Sequence, residues 1–333
     1  MNMMRTPNNG SPGQPRKIRH IIFAVIPTVV VLVVGLTLTE VILSRLGFGH
    51  PPLYHSDPEV GYVLKPSQNL TRLRGSRVFI NSLGMRSNEV AANKPAGVYR
   101  VLLLGDSVPF GGSYIDQDDL FCSVALRRLD SSGNRYQLLN AGINDYGPRN
   151  IWKYVKKHGD YDADMIISYL PWGNLTRHFT NFLQTPFWSN NPDMALAEFF
   201  RHGMWRLFGM LSKRWKSAVP NARRDSFHLN MQALQNIRGY CQAQGIPVYF
   251  IWSPYRCVLT GEWEDDHAAE KNEFKRVIGN SITVDMSPVL QKFSDIDSLY
   301  KDDCHYSSEG HRVVGEFLAE FIAARRQDAV SSH

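Results

Sequence analysis

Five short apolar runs, each closed by a Gly, Pro or Asp turn, limit the possible folds of this chain more than any other feature. They are YRVLLLGDS (residues 99–107), YQLLNAG (136–142), DMIISYLPW (164–172), IPVYFIWSPY (246–255) and SITVDMSP (281–288). A run that is apolar on both faces suits a strand covered on both sides, as in a parallel sheet. The segments between them have helical spacing, for example DDLFCSVALRRLD and SFHLNMQALQNIRGYCQAQG, the latter stopped by Gly245-Ile246-Pro247. The last helix, SSEGHRVVGEFLAEFIAARR, closes the unit. Alternating strands and helices predict a five-stranded parallel sheet covered by helices on both faces over residues 99–328. Such sheets bind ligands beyond the carboxyl ends of their strands, so the chemistry should directly follow each run.

The residues at those positions are reactive ones. Gly105-Asp106-Ser107 follows the first run, Gly142-Ile143-Asn144-Asp145 the second and Gly173-Asn174 the third. Asp302-x-x-His305 and Gly310-His311 precede the last helix. A serine hydroxyl becomes a useful nucleophile only when a base takes its proton, and histidine suits that role near neutrality. A carboxylate three residues before the histidine can reach its other ring nitrogen and fix the tautomer. That gives Ser107 as nucleophile, His305 as base and Asp302 as orienting acid. Asp303 is the adjacent alternative, which the spacing disfavours, and His311 reads as a packing residue.

This arrangement resembles the SGNH (GDSL-type) hydrolase family over roughly residues 99–325, a resemblance that implies a three-layer α/β/α, flavodoxin-like fold. LLLGDSVPFGG is similar to its first block and KDDCHYSSEGH to its last, while the stretch from HSDPEVGY through INSLGMRS resembles a membrane-anchored bacterial subgroup. The resemblance implies an oxyanion hole made by the Ser107 backbone, a backbone N–H after the second strand and an asparagine amide after the third. Asn174 then takes the asparagine role, and Asn144, despite its Gly-x-Asn-Asp setting, does not. The second-block glycine position falls on Asp145. A carboxylate there resists the positive φ that glycine offers and would repel an oxyanion. Gly142 and Gly147 are the alternatives, and Leu175 stands where the family carries aspartate. The implied activity is a serine esterase acting on an ester-bearing glycan or lipid, with no cofactor or metal. An O-acyltransferase on an envelope polysaccharide and a degenerate, non-catalytic binding module are the alternatives.

Residues 21–39 hold 19 uncharged, mainly apolar residues, about 28 Å as a helix and close to a hydrocarbon core. The expected organisation is a disordered cytoplasmic tail (1–20), a transmembrane anchor (21–43), a small β-rich module (49–98) and the catalytic domain, with an insertion helix at 194–216. Of the net charge of +6, four positive charges lie in residues 1–20, which hold no acid, leaving only +2 for the rest. By the positive-inside rule the domain faces the bacterial periplasm from the inner membrane. So weak a residual charge gives nucleic-acid binding little support. The four cysteines lack the C-x-x-C spacing of a zinc site. If a disulfide forms, Cys257 and Cys304, both expected at the catalytic edge, are the pair.

Overall fold

The computed structural model describes residues 15–131, 135–182, 189–212, 220–262 and 268–331. Residues 1–14 of the expected tail (1–20) and the end of the insertion at 213–216 lie outside them, while residues 15–20, expected as disordered tail, are helical. A helix, Pro15–Arg45, comes first, and Val25–Arg45 within it is long and apolar enough to cross a membrane, with its apolar side chains exposed except Leu43 near its end. Two antiparallel hairpins follow: β1 (Tyr54–Asp57) with β2 (Gly61–Leu64), and β3 (Gln68–Thr71) with β4 (Arg77–Ile80).

The main sheet has five parallel strands: β5 (Tyr99–Gly105), β6 (Tyr136–Gly142), β7 (Met165–Pro171), β8 (Val248–Ser253) and β9 (Thr283–Asp285). Their order, β6-β5-β7-β8-β9, is that of a flavodoxin-like sheet. Alternate residues of one strand serve opposite faces. Leu102 and Leu104 of β5 pack with Ile151, Leu234 and Phe274 from the helices Pro148–His158, Pro220–Gln244 and Ala268–Ile278. Val101 and Leu103 face the other way, towards Phe121, Leu129, Val314 and Leu318 of the helices Phe121–Asp130 and Ser308–Ser331. Both faces are covered, which is why the strands read as continuous apolar runs rather than alternating ones.

The hairpins are bonded into this core. Arg86, in the INSLGMRS stretch, is fully buried. Its guanidinium donates to the carbonyls of Phe110 (2.7 Å), Gly112 and Ile115 (2.6 Å), and lies over the Phe110 ring. These carbonyls belong to the loop that begins at Ser107, so a residue outside the sheet clamps the segment after the first strand.

The insertion helix, Ala195–Ser212, packs on the N-terminal helix rather than on the sheet. The Glu40 carboxylate accepts from its first N–H groups, Ala195 at 2.7 Å and Leu196 at 2.8 Å. Glu198 pairs with Arg72 inside the protein, and Phe48 meets Phe199 edge to face. Met194, Phe199, Phe200 and Met204 remain exposed.

Candidate active site

Ser107 stands at the first position of a single helical turn, Ser107–Phe110, directly beyond β5. Asp106 caps that turn by accepting from the Val108 N–H at 2.9 Å, which fixes the serine at the sheet's carboxyl edge. Gly105 is required there: a Cβ would fall 2.5 Å from Pro109 Cγ and 2.7 Å from the Tyr169 carbonyl oxygen.

His305 arrives from the loop before the last helix. Its Nε2 lies 2.8 Å from Ser107 Oγ, across 198 residues of sequence. Its Nδ1 lies 2.9 Å from each oxygen of Asp302, and Asp302 Oδ1 also accepts from the His305 N–H at 2.9 Å and the Cys304 N–H at 3.1 Å. The acid therefore shapes the loop as well as the ring. Burial pulls the imidazole's pKa down, but the hydrogen bonds and charges of Asp302 and Cys304 together outweigh it and hold the ring above the ordinary histidine range. For Asp302, burial acts to raise the pKa, and its bond to His305, the charge of that ring and the His305 and Cys304 N–H groups together bring it below the usual carboxylate range. Asp303 instead faces Arg256, at 3.5 Å. His311 is buried, stacks on Phe121 and accepts the Phe121 N–H at Nδ1 (3.1 Å), which makes it a packing residue.

Asn174 sits in the short turn after β7, fully buried. Neither end of its side-chain amide makes a well-formed hydrogen bond, although it lies beside Asp106, whose carboxyl burial pushes above the usual carboxylate range against the pull of Arg177 and, more weakly, Asn174. A buried amide left open in this way is a donor awaiting an acceptor. Asn144 is differently placed. Its amide donates to Tyr54 Oη at 3.0 Å and its carbonyl accepts from Tyr62 Oη at 2.7 Å, so it ties the loop to the β1–β2 hairpin. Leu175 is a buried core residue.

Asp145 departs from what its side chain suggests. It takes φ of 62°, the left-handed conformation that glycine would supply, in a turn closed by the Tyr146 N–H on the Ile143 carbonyl at 3.2 Å. Aspartate is among the few residues that tolerate this region. The Gly142 N–H is taken by Asn140 (3.1 Å) and the Gly147 N–H lies 3.4 Å from Asn150 Oδ1. Of the three N–H groups, that of Asp145 is the one with no acceptor among the described residues. Its carboxylate is paired with Arg177 Nη1 at 2.6 Å, and Arg177 Nη2 lies 3.5 Å from the buried Asp106. One guanidinium therefore links the carboxylate beside Ser107 with the carboxylate of the second loop. The sequence reading missed Arg177, and its only signal is a cation three residues after Asn174.

The expected Cys257–Cys304 disulfide does not form, and all four thiols are free. Cys304 Sγ faces the site instead, 3.4 Å from His305 Nδ1.

No family model and no curated protein matches the chain. Among solved structures it is similar to a lipase/acylhydrolase from Enterococcus faecalis, at 14% identity over 68% of this chain and 96% of that one, with a TM-score of 0.44. It is also similar to Axe2, an acetylxylan esterase from Geobacillus stearothermophilus, at 14% identity over 66% and 91% of the two chains, TM-score 0.41. A two-domain esterase active on acetylated mannans matches at 13% identity over 69% of this chain and 50% of that one, TM-score 0.41. At such identities the chemistry of the site has to be read from its own atoms.

Proposed function

We propose that this chain is a serine esterase of the SGNH type, acting on acyl esters of a carbohydrate or lipid. The observation that carries this reading is the continuous hydrogen-bonded chain from Ser107 Oγ to His305 to Asp302 at the carboxyl edge of the sheet. In this mechanism Ser107 Oγ attacks the ester carbonyl while His305 Nε2 takes its proton. Asp302 stabilises the imidazolium that forms. The negative charge on the carbonyl oxygen is met by the Ser107 N–H, the Asp145 N–H and the Asn174 amide. The leaving alcohol takes the proton from His305, and water, activated by the same nitrogen, releases the acid.

Arg177 explains how an acidic residue can occupy a loop whose N–H must face an anion. Paired with a guanidinium, the Asp145 carboxylate presents little net charge to the carbonyl oxygen.

The apolar stretch within Pro15–Arg45, with basic residues before it, supports a single-pass inner-membrane anchor and a periplasmic domain. Retention in the membrane fraction after alkaline extraction, with the N-terminal peptide still attached, is the expected result. Release of a processed chain would mean a cleaved leader instead.

The activity itself is tested by turnover of a chromogenic acetyl ester in wild type and Ser107→Ala. Turnover that vanishes in the variant supports the esterase. A rate that rises severalfold on adding an oligosaccharide would move the reading to an O-acyltransferase using the same residues, and no turnover in any condition would leave a binding module.

A further inference from the structure

Cys304 plays no part in the hydrolytic reading, yet it lies beside the acid and base of the triad. We propose that Asp302, Cys304 and His305 form an inhibitory site for a thiophilic divalent cation of the zinc class.

The geometry supports it. His305 Nδ1 and Asp302 Oδ1 are 2.9 Å apart, Cys304 Sγ is 3.4 Å from Nδ1, and Sγ is 3.6 Å from Oδ1. The point equidistant from these three atoms lies about 1.9 Å from each. A small step off their plane brings all three distances to roughly 2.1–2.3 Å, the range of zinc bonds to carboxylate, imidazole and thiolate. Carboxylate, imidazole and thiolate are the donors that zinc takes. The loop is already shaped for them, since Asp302 Oδ1 holds the backbone N–H groups of both Cys304 and His305. Asp302 is about half exposed, which leaves an open side for a fourth, water ligand.

The consequence for catalysis follows from the two ring nitrogens. A cation on Nδ1 displaces any proton there, so the ring keeps its one proton on Nε2. The thiol proton, and one ring proton where the ring starts as imidazolium, leave to solvent. Nε2 then faces Ser107 Oγ as a donor and cannot accept its proton. Asp302 is at the same time withdrawn from the histidine. Metal binding and ester hydrolysis are therefore mutually exclusive, and the cation switches the site off by converting its acid–base pair into ligands.

The test uses the full-length chain in detergent with Co²⁺ as a spectroscopic probe and Zn²⁺ as an inhibitor. Wild type and Ser107→Ala should each bind one cobalt with a thiolate-to-metal charge-transfer band, and Cys304→Ala should lack that band. In wild type Zn²⁺ should abolish ester turnover. Cys304→Ala should need about tenfold more or higher for half inhibition, given that even supporting residues change metal affinity by that factor. Cys304→Ser serves the same comparison if the alanine variant does not fold. Cobalt binding without a sulfur band, or equal zinc sensitivity in the cysteine variants, would overturn the proposal. A sulfur band in a chain that turns over no ester would leave the metal site standing and remove the esterase instead.

Discussion

Removing Arg177 should slow acylation by restoring a charge that the structure neutralises. The Asp145 carboxylate is bonded to Arg177 Nη1 at 2.6 Å and belongs to the residue whose N–H is proposed to hold the oxyanion. A bare carboxylate about 6 Å from the developing charge would cost roughly 3 kcal/mol at an effective dielectric near 20. That corresponds to about a hundredfold in rate. Asp145 is 49% exposed, so solvent screening takes away part of this, and a loss of about ten- to a hundredfold in kcat is expected for Arg177→Ala. The buried Asp106 also loses its partner at 3.5 Å, which could lower stability and mimic the effect. A double-mutant cycle separates the two. Asp145→Asn keeps a residue that tolerates positive φ and removes the charge, so alone it should leave kcat unchanged or modestly raised. In Arg177→Ala/Asp145→Asn the repulsion is gone, and kcat should recover most of the loss, with KM little changed throughout. Pre-steady-state acylation by a chromogenic acetyl ester reads the step directly. A double variant as slow as Arg177→Ala alone would refute the electrostatic argument and place the effect on Asp106.

Four further outcomes are expected. The acid limb of kcat/KM reports the neutral fraction of His305. Asp302 favours the imidazolium, so the wild-type limb should lie above pH 6.5, activity rising with pH through it, and Asp302→Asn should move that limb down while lowering the plateau. Asn174→Ala should lower kcat by about a hundred- to a thousandfold, the usual loss for one oxyanion donor, with thermal stability retained. Asn144→Ala should do the reverse, lowering Tm with a small change in kcat, because its amide ties the loop to Tyr54. Arg86→Met should destabilise the fold by about 2–4 kcal/mol in denaturant titrations, since it leaves buried carbonyls of Phe110 and Ile115 unpaired.

Some of this was legible in the sequence because it is encoded locally. A strand covered on both faces has to be an apolar run, and the five runs at residues 99, 136, 164, 246 and 281 each contain one strand of the sheet. The spacing of Asp302 and His305 brings acid and base into one short loop, so their contact follows from four consecutive residues. Other features depend on the assembled fold. Arg177 links two loops that follow different strands, and nothing near it in the chain announces either carboxylate. The conformation of Asp145 could not be read from its side chain, because the turn that demands a positive φ is fixed by Ile143 and Tyr146 and by the packing around them. The cysteines misled for a related reason. Nearness to one edge of the sheet was right for Cys304, but the direction of its thiol is set by the loop that Asp302 organises, and it points to His305. Arg86 lay in a motif that was visible without a role, and only the fold shows that it clamps the loop after Ser107.

The central claim is that Ser107 is a nucleophile activated by His305. The most direct measurement is to treat the full-length chain with a fluorophosphonate and locate the adduct by peptide mapping. The account predicts a single labelled residue, Ser107, with labelling abolished in His305→Ala and strongly slowed in Asp302→Asn. An adduct on another serine, or labelling of Ser107 that is unaffected by loss of His305, would contradict it.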